Sequence, residues 1–138
     1  MNFVSIRVIT DDVARLVTFY ERVTGVRADR ATEDFAELRT ASATLAIAST
    51  RTVPLFAPGS ARPADNRSVV VEFLVDDVDA VHRNLVDVVG EFVTEPTTMP
   101  WGNRALLFRD PDGNLVNFFT PVTPAAVEKF SGVGRAAS

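Results

Sequence analysis

Residues 3–26 (FVSIRVITDDVARLVTFYERVTGV) and 68–91 (SVVVEFLVDDVDAVHRNLVDVVGE) carry one pattern twice. Each stretch is an apolar strand, then Asp-Asp-Val, then a helical spacing of apolar residues, then glycine. The offset is constant: Asp12 matches Asp77, Val13 matches Val78 and Gly25 matches Gly90. Few identities survive between the copies, but a fixed period constrains architecture more than any single motif does.

The residues within each copy agree on the elements. Asp12 and Asp77 are suited to cap a helix and complement its dipole. Val13, Leu16, Val17, Tyr20 and Val23 recur at helical spacing, as do Val78, Val81, Leu85 and Val88. Gly25 and Gly90 stand where left-handed C-caps are expected. In the strands, Val4, Ile6 and Val8, and equivalently Val69, Val71 and Phe73, form faces predicted to bury the helices. The opposite faces, Ser5, Arg7, Ile9 and Val70, Glu72, Leu74, are of mixed character, as a ligand-facing surface would be.

Three further strands are predicted in each copy: 26–30, 34–39 and 43–49 in the first, 92–95, 104–109 and 114–120 in the second. The fold class is therefore α+β, built from two tandem β-α-β-β-β modules at 1–50 and 68–121. Residues 51–67, with three prolines, connect them. Residues 122–138 are expected to form a short helix, with Thr123 as cap and Pro124 at its first position, and a frayed tail.

Bulk properties exclude several classes. The 138-residue chain can bury a real core. A net charge of −4 argues against a nucleic-acid partner, which selects a basic face. No apolar run nears the ~18 residues of a membrane span. The absence of cysteine rules out disulfides, thiolate metal sites and a cysteine nucleophile. The N-terminus shows no signal-peptide pattern, so a cytoplasmic location is expected.

With these modules, the stretches "FYERVTG" and "RDPDGNLVNFF" together resemble the vicinal oxygen chelate superfamily: glyoxalases, bleomycin-resistance proteins and extradiol dioxygenases. The resemblance spans residues 1–121. It implies a cup-shaped sheet with helices outside, closed within one chain or between two, and commonly a homodimer. Catalytic members of the family hold a metal at four positions. These fall here on Ser5, Val70, Asn117 and one residue within Leu45–Ala48. A divalent ion needs about 4–6 ligands such as imidazole or carboxylate, which this set lacks. No metal and no cofactor is therefore expected. The stretch "WG-x-R…DPDGN" is similar to that of drug-binding members, in which an aromatic loop residue sandwiches a planar molecule.

The expected function is binding or sequestration of a small, partly aromatic molecule, with antibiotic resistance as one role. The candidate ligand-binding residues are Trp101, Arg104, Asn117, Phe119, Arg7, Glu72, Phe35 and Phe56. Trp101 offers a stacking platform. Arg104 is equally suited to an anion or to a solvated strand end. Arg7 and Glu72 are repeat equivalents and are expected to pair with one another across the cup floor. His82, the sole histidine, falls on a helix flank away from the cup, so a Ser-His-Asp triad has no support. Two alternatives remain: a lyase, isomerase or dioxygenase using a relocated metal or a carboxylate base at Glu72 or Glu37, and a closed cup that serves protein interaction. Asp110 and Asp112 are read as turn residues only.

Overall fold

The structure, a computed structural model, describes residues 1–133. The first module runs β1 (Ser5–Thr10), α1 (Val13–Thr24), β2 (Asp29–Thr32), β3 (Phe35–Arg39) and β4 (Thr44–Ser49). The second runs β5 (Val70–Leu74), α2 (Val78–Leu85), β6 (Thr97–Thr98), β7 (Asn103–Arg109) and β8 (Leu115–Pro121), and α3 (Pro124–Lys129) follows. Each module makes an open, mixed four-stranded sheet, in the orders β1-β4-β3-β2 and β5-β8-β7-β6. The first and last strands of each sheet's module are parallel, and the rest pair antiparallel.

The predicted caps form. The Asp12 carboxylate accepts from the Arg15 amide at 3.0 Å and Asp77 from Ala80 at 3.1 Å. Gly25 closes α1 in the left-handed region at φ 71° and donates its amide to the Glu21 carbonyl. Gly90 does no such work, because α2 stops at Leu85 and Val86 caps it in the right-handed region. The helix is one turn shorter than its repeat partner, and a turn replaces its end. Thr123 caps α3 as expected, with Pro124 in its first turn.

Other expectations are corrected. The strand predicted at 92–95 is a single bridge, Phe92 to Phe108, and the edge strand proper is the two residues of β6. The strand predicted at 26–30 lies later, as β2. Val4 and Val69 are exposed, because each lies just outside its strand, beyond the reach of the helices. A 3-10 helix, Thr50–Leu55, leads from the first module into the connection. Of the tail expected to fray, residues 134–138 lie outside the described residues.

One core serves both modules. Leu16, Tyr20, Leu38 and Ile47 of the first join Leu106, Phe108, Val116 and Phe118 of the second in a single buried cluster. The two are also linked by polar groups. The Tyr20 hydroxyl donates to Asp110 Oδ2 at 2.7 Å, a sequence separation of 90 residues. Asp110 is buried at 5% exposure and also accepts from the amides of Asp112 and Asn114 and from Asn114 Nδ2. Asn66, in the connection, donates to Asn114 Oδ1 at 3.3 Å. Helix α1 and the β7–β8 turn thus converge on one carboxylate, and the connection reaches it through Asn114.

Candidate functional site

In β1, β4, β5 and β8 the side chains alternate between the helix-facing core and the opposite face. The register fixes which residues share that opposite face. Arg7 stands beside Ala46 and Ala46 beside Glu37 in the first sheet; Glu72 stands beside Asn117 and Asn117 beside Leu107 in the second. Ala46 is therefore the first module's counterpart of Asn117. The four positions at which the resemblance puts metal ligands are occupied by Ser5, Ala46, Val70 and Asn117: a hydroxyl, a methyl, an isopropyl and an amide. That donor set does not fit a divalent ion. Among the described residues, no three His, Cys, Asp or Glu side chains come together elsewhere to form one.

Asn117 instead serves its neighbour. Its Nδ2 donates to Glu72 Oε2 at 2.8 Å. This contact sets the amide orientation, since the flipped amide would turn its oxygen on the carboxylate. Asn117 Oδ1 is left buried without a partner among the described residues.

The expected Arg7–Glu72 ion pair does not form. The Arg7 guanidinium lies 5.4 Å from the ring centre of Phe35 and 5.3 Å from that of Phe56, so one ring of the first module and one of the connection hold it. Glu72 takes the amide of its own sheet neighbour. Arg104 also departs from its candidate role. It lies on the helix-facing side of β7 with the buried Leu106 and Phe108, and it grips Asp79 of α2 through Nε at 2.7 Å and Nη2 at 2.9 Å. The hydrogen bonds from Arg104 hold the Asp79 carboxyl below its usual range. Trp101 is 68% exposed in the turn before β7. Gly102 next to it has φ 96° and packs so closely on Thr123 that a methyl would overlap the hydroxyl there. This packing sets the turn and leaves the indole outward.

A cavity of about 400 Å³ lies between the modules. Ile6 and the β3–β4 hairpin contribute one side, β5 and Phe119 of β8 the other, and Phe130 an end. The Phe119 and Phe130 rings meet at 5.2 Å. Glu72 is the one charged residue lining it among the described residues. Of the eight residues singled out by sequence, Glu72 and Phe119 line this cavity, and Asn117 positions Glu72. Arg7, Phe35 and Phe56 form a separate cluster, and Trp101 and Arg104 stand apart. Sequence reasoning missed Phe3 and Phe130, while Leu74 stands on the strand face expected to meet a ligand. Phe130 follows Ala126 at helical spacing, a faint signal in a segment expected to fray.

His82 is half-buried, edge-on to Phe92 at 5.0 Å, and takes no part in the cavity. Glu37 is engaged by Arg39 at 2.9 Å.

This fold agrees with what the chain resembles in sequence. The pattern of the glyoxalase/bleomycin resistance protein/dioxygenase superfamily matches residues 2–118. The chain belongs to that superfamily. No functionally curated protein matches it significantly. Solved structures match along most of their length. A glyoxalase/bleomycin resistance protein/dioxygenase family enzyme from Burkholderia phytofirmans shares 17% identity over 86% of this chain and 97% of its own, with a TM-score of 0.75. A glyoxalase/bleomycin resistance protein/dioxygenase from Nocardioides shares 20% over 100% and 89%, with 0.72. A protein of unknown function from Agrobacterium tumefaciens shares 25% over 87% and 94%, with 0.75. For the first two the likeness is one of fold.

Proposed function

We propose that this superfamily member binds a small, partly aromatic molecule in the cavity between its modules and releases it unchanged. The observation that carries the reading is the cavity itself: about 400 Å³, walled by Phe3, Phe73, Phe119 and Phe130, with a single carboxylate among the described residues. Size and lining are those of a small-molecule site. The donor set at the superfamily's metal positions supports binding over metal-assisted chemistry, and Glu37, the second candidate base, is engaged by Arg39.

Calorimetry against a panel of planar aromatic compounds tests this. Saturable binding of one compound per cavity is expected, weakened by Phe119→Ala, with the ligand recovered intact by chromatography. Flat titrations across the panel, or recovery of a converted product, would overturn it. If the ligand is an antibiotic, expression of the chain should raise the tolerated dose of that compound alone. We also propose a homodimer, in keeping with the exposed Phe3, Val4, Leu55 and Phe56. Light scattering should then give twice the mass of the chain.

Among the described residues, no helix is long and apolar enough to cross a membrane.

A further inference from the structure

We propose that the ligand is an amine: an apolar, ring-bearing body with a protonated amino group that meets Glu72. The inference rests on the binding role proposed above and names the chemical class that the site would take. Three observations converge. First, Glu72 is the only charged residue lining the cavity among the described residues, and the remainder is apolar apart from hydroxyls at the β3–β4 hairpin. A lining whose described residues hold one carboxylate and no cation selects positive charge.

Second, the carboxylate is held in place yet open: Glu72 is exposed, and only one of its oxygens is engaged by protein among the described residues. Asn117 donates to Oε2, while Oε1 receives no hydrogen bond among the described residues. An ammonium has three donors and can meet that oxygen in a charge-assisted bond. Third, two described cations that could meet Glu72 from within, Arg7 and Lys129, are held elsewhere. Arg7, its repeat equivalent, rests against Phe35 and Phe56. Lys129 lies over the Phe130 ring, 5.2 Å from its centre, and does not line the cavity. The aromatic walls add to the preference, since ring faces attract ammonium groups.

The test uses three probes of one shape on the full chain: 1-naphthylmethylamine, 1-naphthylmethanol and 1-naphthoic acid, by calorimetry at low salt. The amine should bind about tenfold tighter than the alcohol, and the acid most weakly. Glu72→Gln keeps an acceptor for Asn117, and in it the amine-to-alcohol ratio should fall to near one. Equal affinities for amine and alcohol in the unaltered chain, or a ratio that survives Glu72→Gln, would overturn the amine proposal while leaving the binding role standing. Failure of every probe, in a panel where no other aromatic compound binds, would overturn both. The unaltered chain alone decides between amine and alcohol if Glu72→Gln does not fold.

Discussion

Asp110 shows how one residue can carry more than its local motif suggests. In the turn Asp110-Pro111-Asp112-Gly113 it accepts from two backbone amides, the ordinary work of a turn aspartate. It also takes the Tyr20 hydroxyl from the other module. Burial, and then the charge and hydrogen bond of Asp110, push the Tyr20 hydroxyl well above its ordinary value of 10.0. The unfolded chain therefore gives up that proton first. The stability tied to the neutral phenol is whole below about pH 10 and is lost as pH rises past it. Tyr20→Phe should cost about 2 kcal/mol at neutral pH, the scale of a hydrogen bond to a charged acceptor, and should flatten the alkaline loss. Urea unfolding at pH 7 and pH 10.5 checks both. A variant as alkali-sensitive as the parent would show that another group is responsible.

At the scale of elements, the two modules test one design twice. Each helix starts on an aspartate cap, but α1 continues for 12 residues and α2 for 8. Asp12→Ala and Asp77→Ala should each cost about 1 kcal/mol in denaturant unfolding. Asp77→Ala should lose the larger share of helical signal, because a shorter helix has fewer turns to spare once its first one frays. Equal and negligible costs would mean the caps are replaced by water. The Arg104–Asp79 pair ties β7 to the first turn of α2, whereas the helix–strand ion pair of α1, Glu21 with Arg30 of β2, sits in its last turn. The order strand, Asp-Asp-Val, helix in each repeat was readable. The shrinkage of β6 to two residues was not, because Thr97 and Thr98 carry no apolar alternation.

At the scale of the molecule, the core does not divide at the connection. Phe19 of α1 packs on Phe108, and Tyr20 approaches Phe73, each pair joining one module to the other. A fragment ending at residue 67 keeps a complete β-α-β-β-β pattern but loses those partners. It should show no cooperative thermal transition by circular dichroism, whereas the full chain should melt in one step. A sharp transition in the fragment would mean that each module is an independent folding unit.

The sequence by itself determined the repeat, the helix caps at Asp12, Asp77 and Thr123, the α+β modules and the superfamily, because these depend on periodicity and on contacts within a few residues. Of the positions implied by the resemblance, the one left open within Leu45–Ala48 is narrowed to Ala46 by strand register. Only the tertiary structure decided how side chains from the two modules are shared out. Arg7 and Glu72 match in sequence, yet one is held by Phe35 and Phe56 and the other by Asn117. Arg104 turned to Asp79, and Phe130 closed a cavity far from it in sequence. These outcomes depend on which of several competing partners lies nearest in space. Pattern and propensity fix the elements, but competition among distant partners is settled only when the elements pack.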